Sequence, residues 1–115
     1  MRKDKLKSTV IAEVSIVPIG TGSTSLSRFV SECVSILEQR KDVRYQLTPM
    51  GTIVEGSLDL VLEIIQSMHE IPFRKGISRV VTTIKIDDRR DKKASMQKKI
   101  DSVLKHKPGI NTIKF

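Results

Sequence analysis

Hydrophobic and polar positions change period several times along the chain, and the order of the changes predicts the elements. Over residues 9–17 one parity reads Val10, Ala12, Val14 and Ile16, and the other Ile11, Glu13, Ser15 and Val17. That is the two-residue period of a strand with one wholly apolar face. Pro18-Ile19-Gly20-Thr21-Gly22-Ser23-Thr24 then breaks it with turn formers. From Ser25 on, Leu26, Phe29, Val30, Cys33, Val34 and Leu37 recur at helical steps. This predicts an amphipathic helix with Ser23, Thr24 or Ser25 as its capping hydroxyl. Val43, Tyr45 and Leu47 alternate with Arg44, Gln46 and Thr48 as a half-buried strand; Pro49-Met50-Gly51 turns the chain, and Thr52-Ile53-Val54-Glu55 returns antiparallel. Gly56-Ser57 opens a second helix striped by Leu58, Val61, Leu62, Ile65 and Met68, with Pro72 and Gly76 in the loop behind it. Val80, Thr82, Ile84 and Ile86 mark a fourth strand. A last helix is expected over residues 91–105, with Met96, Ile100, Val103 and Leu104 inward, ended by Pro108-Gly109.

The order β-α-β-β-α-β with an appended helix packs most simply as a ferredoxin-like α+β sandwich, a four-stranded antiparallel sheet under two helices. Residues 9–107 form this single domain, between a basic extension at 1–8 and a tail at 108–115. The second sheet face would carry Glu13, Ser15, Arg44, Gln46, Thr48, Arg79, Thr83 and Lys85 among Ile11, Val17 and Val81. Such a face is too apolar to be simply wet and too polar for a core, so a homodimer or homotetramer joined through sheet faces or edges is expected.

Composition sharpens this picture. A chain of 115 residues allows one domain and scarcely more. Its 21 Lys+Arg against 13 Asp+Glu give a net charge of +8, and the surplus is lopsided: residues 1–71 sum to −1 and residues 72–115 to +9. A basic half invites a phosphate-neutralising, nucleic-acid reading; the plainer one is a solvated terminal helix with lysines outside. No apolar run reaches the roughly 20 residues of a membrane span, and the basic start has no apolar segment of a secretory signal behind it. A lone cysteine, Cys33, suits a reducing cytoplasm.

No catalytic constellation stands out. His69 and His106 have no metal-ligating neighbour at ligand spacing, and Cys33 sits on an apolar stripe as a small core residue. Gly20-Thr21-Gly22-Ser23-Thr24 joins strand to helix, where backbone N–H groups and hydroxyls can meet a polar ligand or simply cap a connection. Gly51-Thr52-Ile53-Val54-Glu55-Gly56 puts a carboxylate just before a helix. If Ile53 faces the helices, Glu55 does too and needs a partner; if Val54 does, Glu55 lies on the open face. The sequence leaves that parity open. Asp87-Asp88-Arg89-Arg90-Asp91 points to ion pairing, within the chain or between subunits, more than to a metal.

Val14 to Gly22 (VSIVPIGTG), then Pro49-Met50-Gly51-Thr52 with Glu55-Gly56, then Arg79-Val80-Val81-Thr82 with Ile86-Asp87-Asp88-Arg89, together resemble the thiamine-binding protein family of YkoF-like, UPF0045-type domains. The resemblance runs from about Val10 to Val103. It implies a ferredoxin-like fold, association into dimers and tetramers through sheets, no catalysis and no cofactor, and cytoplasmic binding of thiamine or its hydroxymethylpyrimidine portion. The motif positions it implicates in the ligand site are Gly20, Thr21, Ser23, Gly51, Thr52 and Glu55, with Glu55 facing the amino group or the cationic ring. The alternative function is RNA or phosphate binding by the basic C-terminal half. Against it, the strands that would stack bases, residues 9–17 and 52–55, hold no aromatic residue. A third reading, a regulatory amino-acid-binding domain of this topology, would have to act in trans.

Overall fold

The computed structural model describes residues 9–93 and 95–112, so the expected extension at 1–8 and residues 113–115 of the tail lie outside the described residues. Strands β1 (Thr9–Ile19), β2 (Arg44–Thr48), β3 (Gly51–Ser57) and β4 (Arg79–Asp87) alternate with helices α1 (Ser27–Glu38), α2 (Leu58–Arg74) and α3 (Met96–His106). The strands form one antiparallel sheet in the order β2-β3-β1-β4, the ferredoxin-like α+β arrangement expected from the element order. Register then assigns the faces. Val14 lies opposite Thr52 and Ile84, and Ala12 opposite Val54 and Ile86, so these residues share the face beneath α1 and α2. Val10, Ala12, Val14 and Val54 meet Cys33 and Leu37 of α1 and Val61, Ile64, Ile65 and Met68 of α2 in the core. Each larger aliphatic side chain so buried contributes about 1.5–3 kcal/mol.

Several boundaries differ from the expectation, each for a local reason. β1 continues through Pro18, opposite Val80, to Ile19. Its pairing with β3 ends at Val14 opposite Thr52, so Pro18 sits where β1 has a neighbour on one side only, a setting in which sheets tolerate proline. α1 starts at Ser27 with Leu26 in the cap position and no side-chain cap. The expected capping hydroxyls are used earlier, since Thr21 Oγ1 accepts from the Ser23 N–H and Ser23 Oγ from the Ser25 N–H, both at 3.1 Å.

Ser57 caps α2, its hydroxyl accepting from the Leu60 N–H at 3.4 Å. The inward stripe of α2 includes Ile64, whereas Leu62 is 43% exposed. Pro72 lies inside the last turn of α2 and not in the loop. A proline there removes the N–H that would bond to the carbonyl four residues back. The Cys33 thiol supplies a donor from α1 instead, 3.8 Å from the Met68 carbonyl. The helix then closes in a Schellman motif: the Gly76 N–H donates to the Phe73 carbonyl and the Ile77 N–H to the Pro72 carbonyl, each at 3.1 Å, with Gly76 at φ +91°.

α3 begins at Met96 with Ser95 as its cap, so residues 91–93 precede the helix. It is tied to the sheet face that α1 and α2 leave open. Glu55 Oε1 accepts from the Met96 N–H at 2.7 Å, and Lys99 Nζ lies 2.7 Å from an Asp87 carboxylate oxygen. None of its residues is buried and Val103 is 55% exposed, so the expected inward stripe is only partly covered.

Candidate functional site

A cleft of about 670 Å³ runs along α1, between that helix, the middle of β1 and the β2–β3 hairpin. Its origin is local. α1 inserts only Cys33 and Leu37 fully into the core, so the side of the helix carrying Phe29, Val30 and Val34 stands over a void. The hairpin forms the far wall. Thr48 Oγ1 accepts from the Met50 and Gly51 N–H groups at 3.2 and 3.1 Å and donates to the Gly51 carbonyl at 2.9 Å, which tightens the turn. Glycine is required at position 51, because a Cβ would lie 2.8 Å from the Val14 carbonyl oxygen. Leu47 and Met50 bring apolar side chains to this wall while remaining 51% and 83% exposed.

Besides the hydroxyl residues Ser15, Ser27, Ser31, Ser35 and Thr48, two polar residues of the lining stand out. Thr52 is 4% exposed, lines the cleft, and its hydroxyl has no hydrogen-bond partner among the described residues. Buried hydroxyls are nearly always paired. Glu38, in the last turn of α1, is the one lining residue with an acidic or basic side chain among the described residues. Burial, and then the nearby Glu32 carboxylate, push the Cys33 thiol up to about 11, so it stays a neutral wall group.

The six positions implicated by resemblance fall in three places. Gly51 and Thr52 line the cleft. Gly20, Thr21 and Ser23 form the loop before α1 and do not line it; besides accepting from Ser23, the Thr21 hydroxyl donates to the Ser23 carbonyl at 2.7 Å. Val54 is fully buried, which decides the open parity and puts Glu55 on the opposite sheet face, engaged with α3. Phe29, Leu47, Met50 and Glu38 were not singled out as site residues. A signal for Glu38 existed, since it follows Val34 by one helical turn and so borders the apolar stripe.

Outside the cleft, His69 Nδ1 lies 2.6 Å from the Thr82 hydroxyl and its ring is tilted against Phe73. The charge cluster after β4 folds on itself, Arg89 pairing with Asp91 at 2.6 Å and Arg90 with Asp88 at 2.7 Å. Among the described residues no helix is long and apolar enough to cross a membrane.

Sheet order, helix placement and cleft define a ferredoxin-like α+β domain with a ligand-sized cavity beneath its first helix. Residues 12–104 match the family model described as thiamine-binding protein, and the chain belongs to that family. The UPF0045 protein YqgV of Bacillus subtilis is 50% identical over 99 residues, 84% of this chain and 95% of that protein. The crystal structure of the hypothetical protein MJ1052 of Methanocaldococcus jannaschii, 34% identical, superposes with a TM-score of 0.76 over 83% of this chain and 95% of its own. A Thermotoga maritima protein whose suggested role is thiamine biosynthesis or salvage shares the fold, with a TM-score of 0.69 at 16% identity over 83% of this chain and 98% of its own.

Proposed function

We propose that the protein binds thiamine or its hydroxymethylpyrimidine portion in the α1 cleft and releases it unchanged. The observation that carries this reading is the Thr52 hydroxyl, buried and without a partner among the described residues, on the wall of a mainly apolar cavity. An aminopyrimidine offers a donor beside an acceptor, and a hydroxyl can meet either. The cavity volume falls within the roughly 300–1,000 Å³ of small-molecule sites, and family membership supports the choice of ligand. Calorimetric titration with thiamine and with hydroxymethylpyrimidine tests it: saturable heat with at least one is expected, and none with either on folded protein refutes it.

The reading extends to a cytoplasmic homo-oligomer joined through the open sheet face. There Val17 and Val81 lie opposite each other, 37% and 46% exposed. Sedimentation of the native chain and of Val81→Lys tests this, with the substitution expected to shift the population toward monomer. In the basic C-terminal half, Arg89, Arg90 and Lys99 pair with carboxylates, which leaves fewer free cations for the alternative of RNA binding.

A further inference from the structure

We propose that Glu38 is the residue that makes the cleft select a cationic ligand, so that it separates a charged two-ring compound from its neutral pyrimidine fragment. This assignment rests on the cleft being the thiamine site.

Three observations converge on it. Among the described residues, Glu38 is the single one on the wall with an acidic or basic side chain. Unlike Glu32 on the same helix, whose carboxylate lies 2.7 Å from Lys75 Nζ, Glu38 has no ion-pair or hydrogen-bond partner among the described residues. Neither cation that follows in the chain pairs with it: Arg40 is turned to Asp42 at 3.5 Å and to Glu63 at 3.9 Å, and Lys41 makes no ion pair with Glu38. The position adds to the field. Glu38 stands at the C-terminal end of α1, the negative end of the helix dipole, in a last turn without a basic residue.

Apart from the serines of α1 and β1 and Thr48 in the hairpin, the polar groups of the cleft are thus divided. Thr52 on β3 offers a neutral, buried hydroxyl, and the end of α1 offers an uncompensated negative charge. A ligand with a neutral hydrogen-bonding ring joined to a permanently cationic ring matches that division. The hydroxyl takes the pyrimidine, and the carboxylate faces the thiazolium without needing a proton transfer. Glu38 is solvent-exposed, so its attraction is partly screened, and the expected selectivity is moderate.

Calorimetry on the full chain, with thiamine as the cationic probe and hydroxymethylpyrimidine as the neutral one, tests the assignment. Glu38→Gln is expected to weaken thiamine about 3- to 10-fold while leaving the pyrimidine within about twofold, and Glu38→Lys to weaken thiamine further. Raising the salt should weaken thiamine binding to the native chain more than to Glu38→Gln. Unaltered thiamine affinity in both variants, or equal losses for the two probes, overturns the role of Glu38 while the cleft reading survives. A native chain that binds neither probe overturns the cleft reading, and the Glu38 assignment falls with it. Thermal unfolding of both variants checks that each is folded, which a surface position at a helix end should allow.

Discussion

Replacing Thr52 by valine should make the ligand-free protein more stable and a worse binder. The side chain is 4% exposed and its hydroxyl has no partner among the described residues. An uncompensated buried hydroxyl costs about 1–3 kcal/mol, and valine keeps the branched shape while removing that group. Because the residue borders a cleft that water can enter, the lower end applies, a gain of about 1 kcal/mol. For a domain of this size that raises the thermal midpoint by about 4 °C. In the complex the sign reverses. If the hydroxyl meets the aminopyrimidine, valine forfeits a hydrogen bond worth about 0.5–1.5 kcal/mol net, or about 2- to 12-fold in affinity. Thermal unfolding followed by circular dichroism, with and without thiamine, reads both effects together. The variant should start higher and rise less at equal ligand concentration, because ligand stabilisation follows the logarithm of concentration over Kd. A less stable variant would mean that the hydroxyl has a structural partner. Unchanged affinity would remove Thr52 from the ligand contact.

Other consequences are as direct. Gly51→Ala places a methyl 2.8 Å from the Val14 carbonyl oxygen, backbone against side chain with nothing flexible to yield, and should cost about 1–3 kcal/mol in denaturant titration; a neutral result would show that the hairpin can slide. Glu55→Ala removes the acceptor that holds the Met96 N–H at 2.7 Å and should speed amide exchange in the first turn of α3, while thiamine affinity stays unchanged because Glu55 lies across the sheet from the cleft. Cys33 should resist alkylation at pH 8. Its thiol is raised in the folded state from 9.0 to about 11, so the unfolded chain loses its proton first, and the contribution to stability is present below pH 9 and lost as pH rises toward 11. Cys33→Ala should abolish that alkaline loss. It should also cost less in a Pro72→Ala background, where the restored N–H can serve the Met68 carbonyl, and equal costs in the two backgrounds would disprove the thiol–carbonyl link.

Much of this fold was legible because local periods carry it. Alternation over Val10, Ala12 and Val14 and the helical spacing of Cys33 and Leu37 name core residues that the structure buries. The misplacements arise where a neighbour decides. Pro18 ends a strand by local preference, yet continues one that is flanked on one side. Pro72 breaks a helix by preference, yet is buried inside its last turn, with a thiol from α1 near the carbonyl it leaves without a partner. Of the residues that line the cleft, Thr52 and Gly51 stand in the motifs. Glu38 does not, and a carboxylate at the edge of an apolar stripe reads as solvent-facing until a cavity is seen beside it.

By itself, then, the sequence determined the order of elements and the apolar faces of β1 and α1, since these reside in spacing along one chain, and its ordered motifs pointed to the family. Tertiary structure alone decided which side of β3 faces the helices, and that choice sent Glu55 away from the cleft to cap a helix 41 residues further on. It also decided that the basic C-terminal segment ties back through Lys99 and Asp87 to the open sheet face. A strand's period fixes which residues share a face but not which face is covered, because that depends on what packs against it from elsewhere in the chain.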